Sequence, residues 1–422
     1  MLRAAAVDER VMNMPVVSTQ KMYVDIILVY TLLHISGSWR FKLLPDMYLI
    51  AVFGIVLIAW YLYGDRKISD RFLLYVTIYS SLLLALSLYT KGSLSLPTVI
   101  GLTLKMLLAY LIIQTVKYRF VYTYVSVMVF LAVISLLGYA TDMLRLFDGI
   151  ITKLPKVGTW GYEGYLYTFR QVNHMTRNNS IFFEPGAYQG FLNSAIFILF
   201  FLKTGLSKKR TWAYLGVLIS ALLTTFSTTG MIIFAMMLIV FFFKSEMLSF
   251  QEKAKFLIGT VIIGIIMAPQ IYSTVVVKVN EYIEADEYAD GSSARDRSAQ
   301  AQTDLKIFKD SVFGLGNRDY NKAFGYFGRI ELEEENTSSN GVTKTLAVYG
   351  LPFSLFIFGS YFWAFRALLG ESFLAGLAFV ILLMFLTGES FYISAPITLA
   401  VIAGAFVSKS TSRLQQRLTP GG

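Results

Sequence analysis

Apolar stretches of roughly 17 to 23 residues recur along nearly the whole chain, and each is about long enough to cross a ~30 Å hydrocarbon core as a helix. They predict spans over 22–38, 47–63, 72–90, 96–116, 120–140, 185–202, 211–227, 229–243, 255–276, 343–365, 372–388 and 393–408. The fold class is therefore an all-α polytopic integral membrane protein with about twelve transmembrane helices. Most connections are short. Two are not, 141–180 and 277–342, and both are too long to be mere connectors. The middle of the second predicts an amphipathic helix, with Ala301, Leu305 and Phe308 recurring at three- and four-residue steps.

Composition agrees with the pattern. Hydrophobic residues make up 55% of the chain and charged residues 15%, outside the range of a soluble domain. Residues 1–21 are mixed polar and charged, with no short apolar core of the secretory kind, so the first span is expected to anchor the mature chain. The chain has no cysteine, which excludes disulfides, thiol nucleophiles and thiolate-bound metals.

Charge sets an expected orientation. Nineteen lysines and arginines fall in the termini and one alternate set of connections, while the opposite short connections carry Arg40, Lys42 and Lys91. By the positive-inside rule both termini are cytoplasmic, and the formal +10 is mostly a topology signal, with no nucleic-acid partner implied. The chain then divides into a cytoplasmic N-terminus (1–21), helices 1–5 (22–140), an outer loop (141–180), helices 6–9 (181–276), a long outer loop with the amphipathic helix (277–342), helices 10–12 (343–408) and a cytoplasmic C-terminus (409–422).

Candidate chemistry gathers in those loops. In "RNNSIFFEPGAYQGFL", Glu184 and Pro185 stand where polar sequence turns apolar. A carboxylate there either meets the positive end of a helix dipole or serves as an acid-base group. Before it stand Arg170, His174, Arg177 and Asn178, and the second loop adds Arg295, Arg297, Arg318 and Arg329. Arginine keeps its charge and grips phosphate through a planar fork, so outward arginines suit a diphosphate-linked lipid. Trp160, Tyr162, Tyr165 and Tyr167 fit an interfacial belt or a surface that stacks on sugars. Lys105, Asp25, His34 and Glu389 are ionisable groups in apolar surroundings, which makes each a functional candidate. Lys105 either pairs inside the bundle or neutralises a diphosphate. The acidic strips 281–290 and 331–335 are expected to be solvated loop faces.

Three stretches together resemble the O-antigen polymerase and ligase superfamily, within it the Wzy-type repeat-unit polymerases. They are "IFFEPGAYQGFL", the paired spans "LISALLTTFSTTGMIIFAMMLIVFFF" with the turn Ser227–Gly230, and "SSARDRSAQAQTDLKIFKDSVFGLGNRDY" followed by "TSSNGVTKTLAVYGLP". The resemblance covers about residues 170 to 352 and implies a C-type glycosyltransferase-like fold with two long periplasmic loops, in the bacterial inner membrane. It implies a transferase that moves a growing undecaprenyl-diphosphate-linked glycan onto the next lipid-linked repeat at the periplasmic face. No nucleotide sugar, cofactor or metal would be required. Other partners would be the lipid bilayer, a chain-length regulator and a flippase. By position Arg177, Glu184 and Arg297 match the catalytic places of the family. Arg170, His174, Arg295, Arg318, Arg329, Asn340 and Lys105 are expected to bind substrate.

The chain also departs from the family pattern. The ligase branch places a histidine before the asparagine that opens the tenth span; here that place is Ser339, before Asn340, which favours polymerisation over transfer to a lipid A core. The pattern arginine, ten residues, glycine is not met by Arg329 with Gly341 or by Arg177 with Gly190. A secondary transporter or flippase shares the twelve-span layout, but the chain shows no related halves.

Overall fold

The computed structural model describes residues 18–43, 47–157, 161–170, 177–202, 204–244, 251, 293–327 and 338–418. Its longer helices are α1 (Thr19–Gly37), α2 (Met47–Tyr63), α3 (Asp70–Tyr89), α4 (Leu96–Val116), α5 (Phe120–Met143), α6 (Pro185–Phe201), α7 (Lys208–Thr224), α8 (Thr228–Lys244), α9 (Ser293–Asp310), α10 (Gly316–Phe327), α11 (Gly341–Leu369), α12 (Ser372–Gly388) and α13 (Pro396–Leu418). Eleven of the predicted spans coincide with a helix; the ninth, 255–276, lies outside the described residues. Among the described residues, Asp70–Tyr89, Leu96–Met143, Gly341–Leu369 and Ser390–Ser408 are helical stretches long and apolar enough to cross a membrane. Shorter apolar helices accompany them at Met47–Tyr63, Thr228–Lys244 and Ser372–Gly388.

The sequence marks several helix starts. Ser18, Ser95 and Ser207 accept the backbone N–H three residues on, at 3.3, 3.4 and 3.4 Å, satisfying a donor that the helix leaves unpaired. Asn340 does the same for α11, accepting from Val342 and Thr343 at 3.1 and 3.2 Å. Large apolar side chains then point outward. On α2, Ile50, Ile55, Ile58 and Leu62 are each about 60% exposed or more, a surface that belongs against lipid.

Inside the bundle α4 lies against α13 and α2, α11 against α12 and α13, and α6 against α5, α7 and α8. Aromatic rings fill the centre: Phe72 stacks on Tyr110 with centroids 3.7 Å apart, and Tyr75 on Phe356 at 5.1 Å. One end of the bundle is basic and pinned by charge. There Arg119 grips Asp25 through two N–H groups at 2.6 and 3.2 Å, Lys117 pairs with Asp65, and Lys21 Nζ donates to the Tyr63 carbonyl at 3.3 Å. Asp25 is thus a tie between α1 and the turn before α5. His34, at the other end of α1, stacks against Tyr30 with ring centroids 6.0 Å apart.

The opposite end carries the two long connections. The first contains a three-stranded antiparallel sheet, β1 (Lys156–Val157), β2 (Gly161–Gly164) and β3 (Tyr167–Phe169), which an all-helical reading does not anticipate. Tyr167 is buried against Gly138 of α5, while Tyr165 is exposed beneath the Arg40 guanidinium at 4.7 Å. The predicted aromatic surface is therefore split, and Trp160 lies outside the described residues.

In the second connection α9 and α10 pack on α11 around Ile307, Tyr320, Phe324, Ala347 and Val348. The amphipathic helix exists, but its buried stripe differs from the predicted one. Leu305 is 40% exposed, whereas Gln300, Asp304 and Ile307 are buried. Two polar residues go inside because each is satisfied there. Gln300 accepts from the Ser339 N–H at 2.9 Å, and Asp304 accepts from the Tyr320 and Thr343 hydroxyls at 2.6 and 2.7 Å. Where α11 passes this cap it breaks at Gly350, with φ 75° and ψ 172°. The missing side chain lets the turn at Gly314 approach, and the freed Leu351 N–H donates to the Val312 carbonyl at 2.8 Å.

Candidate active site

Residues 177–183 run from the sheet to α6 over the end of the bundle opposite the basic one. Their backbone joins α1 through Phe183 N–H to the Gly37 carbonyl at 3.1 Å and Trp39 N–H to the Ile181 carbonyl at 3.3 Å. Beneath them Asn178 donates to Ser135 Oγ at 3.1 Å and Thr224 Oγ1 at 2.9 Å, and Ser135 meets the Tyr188 hydroxyl at 2.9 Å. Asn178, Asn179 and Ser180 are fully buried. Asn178 is therefore scaffold, bonded within the bundle. Its neighbour Arg177 is held over the turn between α7 and α8, with Nε donating to the Thr225 carbonyl at 2.9 Å.

Four charges lie near enough here for Arg177 to feel the other three. Arg177 feels the opposite charges of Glu184 and Glu389 and the like charge of Arg297; burial pushes its guanidinium down from the ordinary arginine value, and the two carboxylates oppose that shift. Arg297 comes from α9, and its Nη1 lies 3.8 Å from where a Cβ on Gly388 would stand, with Thr229 Oγ1 at 3.9 Å. Glu184 occupies the N-cap position of α6, in extended backbone with Pro185 behind it, but its side chain makes no capping hydrogen bond. The capping role read from sequence is thus filled by position only. The residue is only partly buried.

Glu389 follows the last residue of α12 and is 9% exposed. It was visible in the sequence as a charge closing an apolar span. In the fold it lies against the start of α6. Gly186 and Gly190 lie one turn apart on the same face; a Cβ on Gly186 would stand 3.3 Å from Glu389 Cδ, and one on Gly190 2.6 Å from Tyr392 Cζ. The Tyr392 hydroxyl donates to the Ala187 carbonyl at 2.6 Å. The signal that reveals this contact is the small-x-x-x-small spacing of Gly186 and Gly190, the device by which helices in membranes approach closely.

The remaining predicted residues are placed elsewhere or are not described. Arg170, with φ 50°, is committed to Asp142 and Asp148, bonding the first through its backbone N–H at 2.7 Å and pairing with the second through Nη2. It anchors the sheet on α5. Arg318 is exposed beside Asp319, at 3.4 Å, where the start of α10 meets the turn between α3 and α4. Asn340 caps α11, and Lys105 is half-buried within α4. His174, Arg329 and the acidic strips lie outside the described residues, as does the side chain of Arg295. A groove of about 470 Å³ runs between α3 and α4, lined by Val76, Ser80, Val99 and Thr103 among others; none of its lining residues belongs to the four-charge cluster.

Comparison with known proteins bears on what this arrangement serves. No curated protein matches the chain. One family does, the WcaD colanic acid polymerases, over residues 26–294, a range that includes Arg177 and Glu184 and ends before Arg297. Multi-pass apolar helices and a match over more than half the chain identify a membrane protein of polysaccharide biosynthesis with glycosyltransferase-type polymerase activity. The chain belongs to the WcaD colanic acid polymerase family.

Proposed function

We propose that the protein polymerises lipid-linked oligosaccharide repeats of a capsule or exopolysaccharide at the outer face of the inner membrane, the donor glycan being carried on undecaprenyl diphosphate. The observation that carries this reading is the meeting of Arg177, Arg297, Glu184 and Glu389 at the end of the bundle opposite the basic one.

The step balances as a simple glycosyl transfer. The acceptor's hydroxyl oxygen attacks the anomeric carbon of the growing chain, the bond from that carbon to the diphosphate oxygen breaks, and the lipid diphosphate leaves with the electron pair. The hydroxyl proton goes to Glu184, the more accessible of the two carboxylates. With two arginines and two glutamates the cluster starts formally neutral. Proton uptake by Glu184 leaves it one positive charge richer as the diphosphate departs, so charge stabilisation grows along the reaction, which is where it accelerates a rate. Energy comes from the broken glycosyl-diphosphate bond, so neither a nucleotide sugar nor an ion gradient is needed.

In cells, Arg177→Ala and Arg297→Ala are expected to abolish long-chain product while single lipid-linked repeats accumulate. Normal chain length in both variants would remove the two arginines from the reaction.

A further inference from the structure

Two carboxylates at one site raise the question of how they divide the work, and their surroundings differ. Glu184 is partly buried, more open than Glu389, and precedes α6 without capping it. Glu389 is buried and sits in the space that Gly186 leaves on α6. The segment that carries it is fixed on several sides. The Tyr392 hydroxyl is bonded to the Ala187 carbonyl, the Tyr361 hydroxyl donates to the Ile393 carbonyl at 3.0 Å, and the Ile397 N–H donates to Ser36 Oγ at 2.9 Å. Gly341 at the start of α11 lies against Ser390, so a Cβ there would stand 2.8 Å from the Ser390 Cα. A carboxylate so enclosed is poorly placed to meet an incoming sugar and well placed to hold a cation. Among the described residues, Arg177 from the 177–183 segment feels its charge, Arg297 from α9 reaches Gly388 beside it, and Glu184 shares its neighbour Tyr392.

We infer that Glu389 is a positioning residue of this site: seated on Gly186, it orients the Arg177 guanidinium toward the leaving diphosphate and leaves Glu184 to take the proton. The inference rests on the polymerase reading above. A partly buried arginine tethered at one edge and beside two carboxylates is free to swing about that tether when one is removed, while the charge needed by the leaving group remains. Removing Glu389 therefore slows transfer without removing the base. Gly186 becomes part of the same device, because any side chain there displaces the Glu389 carboxylate.

The test compares Glu389→Gln, Glu389→Asp, Gly186→Ala, Glu184→Gln and Arg177→Ala as purified full-length proteins, with a synthetic diphosphate-linked repeat on a polyprenyl lipid and turnover followed across pH. A carboxylate base gives a rate that falls as it is protonated, an acid limb. Glu389→Gln and Gly186→Ala are expected to lower kcat about tenfold to a hundredfold with the acid limb in place, as misplacement of a group beside the chemistry does, and Glu389→Asp to recover part of the loss. Glu184→Gln is expected to remove the acid limb. Wild-type turnover in Glu389→Gln would overturn the inference. So would complete loss of turnover, or loss of the acid limb in that variant, either of which would make Glu389 the base. Wild-type turnover in Arg177→Ala would instead overturn the polymerase site itself, so the two failures are told apart.

Discussion

Arg177 spends one N–H on the Thr225 carbonyl, which anchors one edge of a planar five-donor group and leaves the other donors to be directed by the carboxylates beside it. Lysine has neither the fork nor the fixed plane, so Arg177→Lys keeps the charge and loses the aim. Its polymer yield is expected to fall about tenfold or more, closer to Arg177→Ala than to wild type; a yield near wild type would reduce the arginine to a point charge. Asp304 poses a different problem. Burial pushes its carboxyl above the ordinary 3.8, against hydrogen bonds from Tyr320, Thr343 and Ser338 and the charge of Lys344. A raised folded-state pKa means that the folded protein binds the proton more readily than the unfolded chain, so this group's contribution to stability is greatest at acid pH and is lost as pH rises through the folded value. Relative to Asp304→Asn, wild type should therefore gain thermal stability in detergent as pH is lowered into the range just above 3.8. A difference that shrinks on acidification would contradict the shift.

The same residue matters to its element. Arg297 and Asp304 lie seven residues apart, two turns along one face of α9, so the bonds that Asp304 accepts fix the helix that delivers the arginine. At the other side of the cap, Gly350→Ala would put a Cβ into the backbone of Phe313 in a conformation that only glycine adopts comfortably. The conformational cost alone is about 1–3 kcal/mol, and the clash adds to it. Loss of yield or a lowered unfolding midpoint is the expected readout, and an unchanged midpoint would argue that the cap docks otherwise. The spans were legible because a membrane leaves a helix no alternative and the apolar runs have the required length. The break of α11 at Gly350 interrupts a span predicted as continuous, and it falls where glycine and Pro352 tolerate it. The small sheet and the buried stripe of α9 were not legible. Short strands leave little periodicity, and Gln300 and Asp304 look solvent-facing until Ser339, Tyr320 and Thr343, from other segments, are there to satisfy them.

Across the molecule, the basic residues and the four-charge cluster take opposite ends of the bundle, which gives the chain a direction. Arg177, Glu184 and Arg297 were nominated by motif order, and in the fold Arg177 feels the charge of the other two; Arg170 was nominated as an outward loop arginine and is drawn off by two aspartates. Glu389 stayed unassigned because its partner is 203 positions upstream, at Gly186, a separation that no local pattern bridges. The direction itself is testable, because the chain has no cysteine. A single cysteine at Arg318 should react with an impermeant maleimide added outside the membrane, and one at Lys209 only after permeabilisation. The reverse result would turn the site toward the cytoplasm. The most direct measurement of the central claim is made with purified protein in liposomes, given a polyprenyl-diphosphate-linked repeat and no nucleotide sugar or ion gradient. A ladder of products spaced by one repeat, present with wild type and missing with Arg177→Ala, is the expected result. No ladder with folded, monodisperse wild-type protein, or a ladder that survives the loss of both Arg177 and Arg297, would contradict it.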